Sequence, residues 1–510
     1  MKKFTGICLF LITVSTIILY SQSPEWGQDL QIMEGEICCF DCDYMNDGTM
    51  IVAVQKDTVV LSPDSYPIIL YKSTNHGGSW SVLDTVQAIN KYQKIKILIS
   101  EWSNNYLYIF FVAEDPTWID NLGVHRYNLA TNSFISTEQV SIDALPTGFD
   151  ACLYEHQGNP HVTVLFWKDD STLNLYKSDD GGVYWTGTGI QTAQGKAFDP
   201  ECSITHGPRE ELYLAYSMSS QTTNHDSLNI YGEMYNAINY SPIGTTFIIA
   251  DQTHACLQPR IACSNDSNNP AIWCAYTYEY NLYQNDLDVR VASVLHPDSA
   301  EYNWNQTSVG TSSYMDAGAD IRFYKVFGNA YVNMCYLYHD LALDTTKVFW
   351  GWSVATNPTS WYMNSSPLND NPCHYIADGT SPKLLYSPGA NGSGSTVVYA
   401  GYLRYDLWID APWSLQVEEV YTQNPHLNIL INSSVINRHS PVYFTLPENC
   451  TYQALLYDLS GRVIWKSNLI SGIAGENNFH IEDLTPGAYF MEIRVPEKDL
   501  TSAHKRITVL

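Results

Sequence analysis

Short runs of apolar, mostly β-branched or aromatic residues alternate with polar loops along nearly the whole chain. One run recurs as a recognisable unit, beginning at Met50 (MIVAVQ), Tyr106 (YLYIFFVAED), His161 (HVTVLFWKD), Leu212 (LYLAYSM), Ala271 (AIWCAYTYEY), Ala330 (AYVNMCYLYHD) and Thr396 (TVVYAGYL), in steps of 51 to 66 residues. After each comes a second apolar run, such as LNLYKSDD or DVRVASVL. Before most comes another, such as CLYEH from Cys152 or the run from Arg260 (RIACSN). Runs of this length and composition predict strands. Three clear strands and a weaker fourth per unit predict a four-stranded antiparallel sheet. No stretch of useful length carries the 3.6-residue period of an amphipathic helix.

Sheets with two apolar faces must stack on neighbours, and a radial ring buries the faces while leaving short, protected edges. A period of 50–60 residues fits such blades. The expected fold is therefore all-β: a β-propeller over 31–415, with seven blades or, because the last unit is the least complete, six. The segment between the N-terminal signal stretch and Cys38 is expected to lend an outer strand to the last blade and close the ring.

The two ends change character. Lys2 and Lys3 precede a largely apolar stretch from Phe4 to Leu19, and small and polar residues follow. That is the layout of a secretory signal peptide, assigned to 1–22. The apolar stretch is shorter than the roughly 20 residues of a spanning helix. No later stretch is long and apolar enough, so no membrane span is expected in the mature chain.

With 26 basic and 53 acidic residues the chain carries a formal charge of −27. Phosphate backbones demand basic surfaces, so nucleic acid is excluded as a partner. Twelve cysteines show no paired spacing typical of zinc sites. Cys38, Cys39, Cys152, Cys202 and Cys263 lie in apolar strand contexts and read as buried thiols; an exported chain leaves room for one or two disulfides among the cysteines.

Two units share a turn: Ser73-x-Asn75-x-Gly77-x-x-Trp80 and Ser178-x-Asp180-x-Gly182-x-x-Trp185, which lie 105 residues apart. A short acceptor side chain suits an Asx-turn, glycine permits positive φ, and tryptophan can pack back between sheets. The turn resembles the Asp box, or BNR repeat, of sialidases and related propellers. Asn128 to Phe134 and Ser353 to Trp361 resemble eroded copies. In that family the box lies between the third and fourth strands, away from the active site, so these residues are read as structural. The resemblance also implies an arginine triad opened by a Phe/Tyr-Arg-Ile-Pro motif. That motif is absent here, and the strand Ile37-CCFDCDYM has no arginine. Of Arg126, Arg260, Arg290, Arg322 and Arg404, only Arg260 is expected to face a central ligand; the others read as sheet-surface charge.

Acids recur where inner strands begin: Asp150, Asp199, Asp320 and Asp378. With Arg260 they are the candidate ligand-binding residues at a channel mouth. Loops after the second strands add acids such as Glu114, Asp169 and Asp286, with Trp118 and Trp167 nearby. Two carboxylates across a cleft are what glycoside hydrolysis needs, and acids beside aromatic rings equally suit sugar or Ca²⁺. No cofactor is predicted, and Ca²⁺ is the one ion these acids would suit.

From Asn424-Pro425 short alternating strands follow a different pattern, including Tyr457-Asp458-Leu459-Ser460-Gly461-Arg462, Leu484-x-Pro486-Gly487-x-Tyr489 and the final Lys505-Arg506-Ile507. The set resembles the C-terminal sorting domain of proteins exported by the type IX secretion system, assigned to 422–510. The resemblance implies an immunoglobulin-like sandwich, a translocon partner, and secretion or display at the outer surface of a Gram-negative bacterium. The expected function is carbohydrate or protein binding, with an extracellular glycoside hydrolase or lyase as the alternative.

Overall fold

The computed structural model describes residues 30–509, except 58–65, 89, 102–104, 116–117, 143, 157–158, 169–171, 195–200, 220–227, 265–270, 282–285, 296–303, 313–314, 327–328, 341–342, 344, 355, 365, 370–380, 387–394, 401–406, 411–429, 432–434, 437–440, 447–448, 458–462, 482–486, 496–499 and 502–504. The described elements are strands throughout, and none of the described residues forms a helix long and apolar enough to cross a membrane. The signal-peptide assignment, Cys8, Arg404 and the Tyr-Asp-Leu-Ser-Gly-Arg turn after Tyr457 lie outside the described residues. The chain divides into two compact units, 1–416 and 417–510.

The first unit is a β-propeller. Its sheets are antiparallel, and the first six run in chain order from an inner to an outer strand. The first comprises Ile37–Tyr44, Met50–Lys56, Ile68–Ser73 and Ser81–Val86. The next five open on the inner strands Ile95–Ser100, Ala144–His156, Cys202–His206, Cys256–Cys263 and Met315–Val326. The seventh sheet contains Lys383–Tyr386, Ser395–Ala400 and Leu407–Asp410. Its fourth strand is Leu30–Met33, brought from the start of the described chain, with Leu30 opposite Ile409. The closing strand expected from the N-terminal segment is thus in place.

Each inner strand neighbours the next, and the last neighbours the first, so the ring is closed. Cores form between sheets: Phe40, Val52 and Val54 of the first sheet pack with Leu385, Val398 and Ile409 of the seventh. The recurring second strands supply much of this material; Trp273, Tyr213 and Tyr399 are buried. The fifth and sixth sheets are also joined by one parallel pairing, Leu287 with Met315.

Both Asp-box turns fold as their sequence dictates. The Gly77 N–H donates to Ser73 Oγ at 2.9 Å and the Gly182 N–H to Ser178 Oγ at 2.8 Å. Asn75 Oδ1 accepts from the Ser79 N–H, and Asp180 Oδ1 from those of Val183 and Tyr184. Trp80 and Trp185 each donate Nε1–H to the glycine carbonyl at 3.1 Å. Gly77 has φ +89° and Gly182 +84°.

A Cβ on Gly182 would stand 2.9 Å from Tyr108 Cε1 of the preceding sheet, so this glycine also lets the turn seat against its neighbour. Gly182→Ala is expected to cost about 1–3 kcal/mol from the left-handed backbone and overpacking together. A urea midpoint unchanged from wild type would refute this.

Among the described residues, ten cysteines are free thiols, eight of them buried. Burial pushes the Cys38 thiol up to about 12, so it is a poor nucleophile at neutral pH.

The second unit has a three-stranded and a larger sheet. Val442, Phe444 and Leu446 of the first share one core with Tyr452, Leu456, Met491 and Ile493 of the second. Phe444 meets Tyr452 edge-on with ring centroids 4.8 Å apart. Two sheets closing over one core make a sandwich.

Candidate functional site: a charged central channel

The inner strands of all seven sheets contribute to one cavity of about 450 Å³. Strand alternation sends every second side chain into it. Asp41 Oδ2 accepts the N–H of Ile97, the residue after Lys96. Asp150 Oδ2 accepts that of Ile204, after Ser203, and Ser203 Oγ that of Ile261, after Arg260. Asp320 Oδ2 accepts that of Leu384, after Lys383. One position per sheet is therefore defined around the ring: Asp41, Lys96, Asp150, Ser203, Arg260, Asp320 and Lys383. Charge alternates in sign from each to the next, interrupted at Ser203. A second tier begins two residues on, where Asp43 Oδ2 accepts the Ile99 N–H at 2.8 Å.

Irregularities in strand pairing precede Arg260 and Asp320. Gln258 and Gly318 occupy them with φ +53° and +66°. Such bulges re-aim the side chains that follow.

Most of the charges are satisfied within the wall. Lys96 Nζ lies 3.1 Å from Asp150 Oδ1, and Arg260 Nη1 lies 2.9 Å from Glu201 Oε2. Lys94 donates to the Phe149 carbonyl at 2.6 Å. Arg322 reaches from the sixth sheet to the first, past the seventh: Nη2 donates to the Cys42 carbonyl at 3.0 Å and Nη1 lies 3.4 Å from Asp43. Its Nε lies 3.6 Å from Asp320.

Burial alone would raise the Asp150 carboxyl. Lys96, Lys94, Arg260 and the Ile204 N–H outweigh it and hold this acid below the usual range. Asp43 is raised, because burial there exceeds the opposing pull of Arg322 and of the Ile99 and Tyr44 N–H groups.

Of the candidate residues read from sequence, Asp150, Arg260 and Asp320 line the cavity, whereas Asp199 and Asp378 lie outside the described residues, as does Asp169. Two expectations need correction. Arg322 is not a sheet-surface charge but a strut across the channel wall. Trp167 is no exposed platform: it is fully buried, and its Nε1–H donates to the Glu201 carbonyl at 3.3 Å. Sequence reasoning missed Asp41, Asp43, Lys94, Lys96 and Lys383. The lining also runs on to Asn46, Glu101 and Phe323, toward the ends of the inner strands where the Asp boxes turn. Asn46 donates to both carboxylate oxygens of Glu101 there.

A separate acidic group lies at the joint between the fifth and sixth sheets. Asp316 is buried, accepts the N–H and hydroxyl of Ser312, and its Oδ1 has no hydrogen-bond partner among the described residues. Burial, reinforced by Asp288 and Asp286, raises its carboxyl to about 6. No cluster of three or more His, Cys, Asp or Glu among the described residues could hold a metal ion.

A folded-state value above the unfolded one means that ionisation opposes folding. The stability associated with Asp316 is present below about pH 4 and lost as the pH rises through 6, amounting to about 3 kcal/mol. Asp316→Asn should therefore stabilise the protein at pH 7.5 and much less at pH 4. Urea unfolding of both proteins at the two pH values checks this; an equal effect at both would refute it.

The fold and channel define a β-propeller protein with a polar, internally ion-paired bore. No family model matches the chain, and no curated protein matches it. Among solved structures it is similar to the BP39L lectin of Burkholderia pseudomallei (14% identity over 74% of this chain and 95% of that one, TM-score 0.48). It is also similar to the α-L-arabinofuranosidase Arb93A of Fusarium graminearum (14% identity, 76% and 97%, TM-score 0.42). A third is the NanB sialidase of Streptococcus pneumoniae (10% identity, 78% and 72%, TM-score 0.38). At such identities no residue role passes from one chain to the other.

Proposed function

We propose that this protein is an exported, seven-bladed carbohydrate-binding propeller whose ligand enters the central channel. The observation that carries the reading is the channel wall itself. It offers a cavity of about 450 Å³, within the range of small-ligand sites. Its donors and acceptors are locked by ion pairs and by hydrogen bonds between sheets. A pre-ordered polar lining suits hydroxyl-rich ligands, because its groups lose little freedom on binding.

The acids are mostly committed to the wall: Asp150 to Lys96, Ser203 and Ile204, and Asp320 to Leu384 and Arg322. Binding is therefore favoured over turnover. The C-terminal sandwich is read as an immunoglobulin-like sorting domain for the type IX translocon. On that reading the protein is secreted from a Gram-negative cell or held at its outer surface, with Ca²⁺ as the ion to test alongside the ligand.

One observation favours the hydrolytic alternative. Asp43 and Asp150 line the same cavity, yet their environments push their carboxyls in opposite directions. Acid and base pairs in glycosidases are separated in this way. A glycan array run beside hydrolysis assays on the same panel, with and without Ca²⁺, decides. Retention without release of product supports binding. Turnover abolished by Asp43→Asn would establish the hydrolase, and neither retention nor turnover would overturn the channel as a glycan site.

A further inference from the structure

We infer that Lys383 anchors an anionic group of the channel ligand, a carboxylate or a sulfate ester, so that the glycans taken up are acidic ones. This rests on the carbohydrate-binding reading above. Lys383 begins the inner strand of the seventh sheet, lines the cavity, and is 9% exposed. Among the described residues it has no ion pair and no hydrogen-bond partner. Every other cation lining the cavity is engaged: Lys96 with Asp150, Arg260 with Glu201, Arg322 with Asp43 and Asp320, and Lys94 with the Phe149 carbonyl.

The bonds of the neighbouring acids run to other groups. Asp320 Oδ2 is shared by the Leu384 N–H and Arg322, and Asp41 Oδ2 by the Ile97 N–H. A nearly buried ammonium without a partner is costly to keep. An incoming anion would remove that cost and gain charge-assisted hydrogen bonds from up to three N–H donors. The protein as a whole carries −27 and repels anions at long range. Recognition of an acidic glycan must therefore come from a local cation inside the bore. Lysine is a point charge rather than a planar fork, so tetrahedral sulfate and planar carboxylate are both admissible, and the experiment separates them.

Full-length protein is titrated calorimetrically with oligogalacturonate, its methyl ester, a chondroitin-sulfate oligosaccharide and a neutral galacto-oligosaccharide. The proposal expects at least one acidic probe to bind. If that probe is oligogalacturonate, the methyl ester should bind roughly tenfold more weakly or worse, the usual scale for losing a charged hydrogen bond. Lys383→Met should weaken the acidic probe by a similar factor and Lys383→Arg should restore much of it, with thermal melts confirming that both variants fold. Should Lys383→Met fail to fold, the ester and neutral comparisons on the wild-type protein still decide for oligogalacturonate, and the neutral comparison for the sulfated probe.

Equal binding of neutral and acidic probes, or an acidic probe held as tightly by Lys383→Met, overturns the anchor while leaving carbohydrate binding intact. Binding of no probe, joined to an empty glycan array, overturns the carbohydrate reading itself.

Discussion

Replacing Arg322 by leucine is expected to destabilise the propeller by about 2–4 kcal/mol, somewhat below the scale for a fully buried ion pair because these side chains keep some exposure. The guanidinium touches three groups on two sheets: Asp320 beside it, and Asp43 and the Cys42 carbonyl on the first sheet. Its removal leaves two carboxylates facing each other across the seventh sheet, with one fewer cation between them. Asp43 is already raised by burial and would be pushed further toward its protonated form. The loss should therefore be larger at pH 8 than at pH 5. Denaturant unfolding at both pH values measures it, and a loss below about 1 kcal/mol would show that the strut is dispensable.

Asp150→Ala is the second large effect, about 3–5 kcal/mol. One carboxylate pairs with Lys96 and accepts both the Ser203 hydroxyl and the Ile204 N–H, so three sheets meet on it. Burial works against the charge of Lys96, yet Asp150 and Asp41 hold this ammonium more firmly protonated than usual. Without Asp150 the lysine stays charged with less to balance it. Because the Asp150 carboxyl is held below its ordinary value, its contribution is present at neutral pH and lost as the pH falls through its folded-state value. Wild type and variant should converge in strong acid. A variant that keeps wild-type stability at pH 7 would mean that the inter-sheet bonds of this carboxylate are replaceable by water.

These two residues show how far the sequence could be read. The recurring aromatic strands mark the sheets because burying both faces forces apolar runs at regular intervals, and their register follows from the same periodicity. The Asp boxes were legible because a turn is local: Ser73 to Trp80 contains all the partners it needs. The channel was not, because its bonds between adjacent sheets join residues 53 to 64 apart, such as Asp150 with Ile204 and Asp320 with Leu384, and that of Arg322 with Asp43 joins residues 279 apart.

A signal was nevertheless present. Counted back from each recurring strand, the ring position falls 9 to 13 residues upstream and alternates in sign except at Ser203. Searching for acids alone found Asp150 and Asp320 and passed over Lys96 and Lys383, the other half of the pattern. Arg322 was misread because nothing local distinguishes a strand arginine that faces solvent from one that spans a neighbouring sheet.

The strand Leu30–Met33 pairs with Leu407–Asp410, which joins the earliest described segment of the propeller to one of its last. A growing chain cannot make that pairing until nearly the whole ring has been synthesised. Every earlier sheet draws its strands from one continuous stretch of chain, whereas the seventh alone depends on two stretches far apart in sequence. The circle is therefore held shut by a pairing that no local stretch of chain can make on its own.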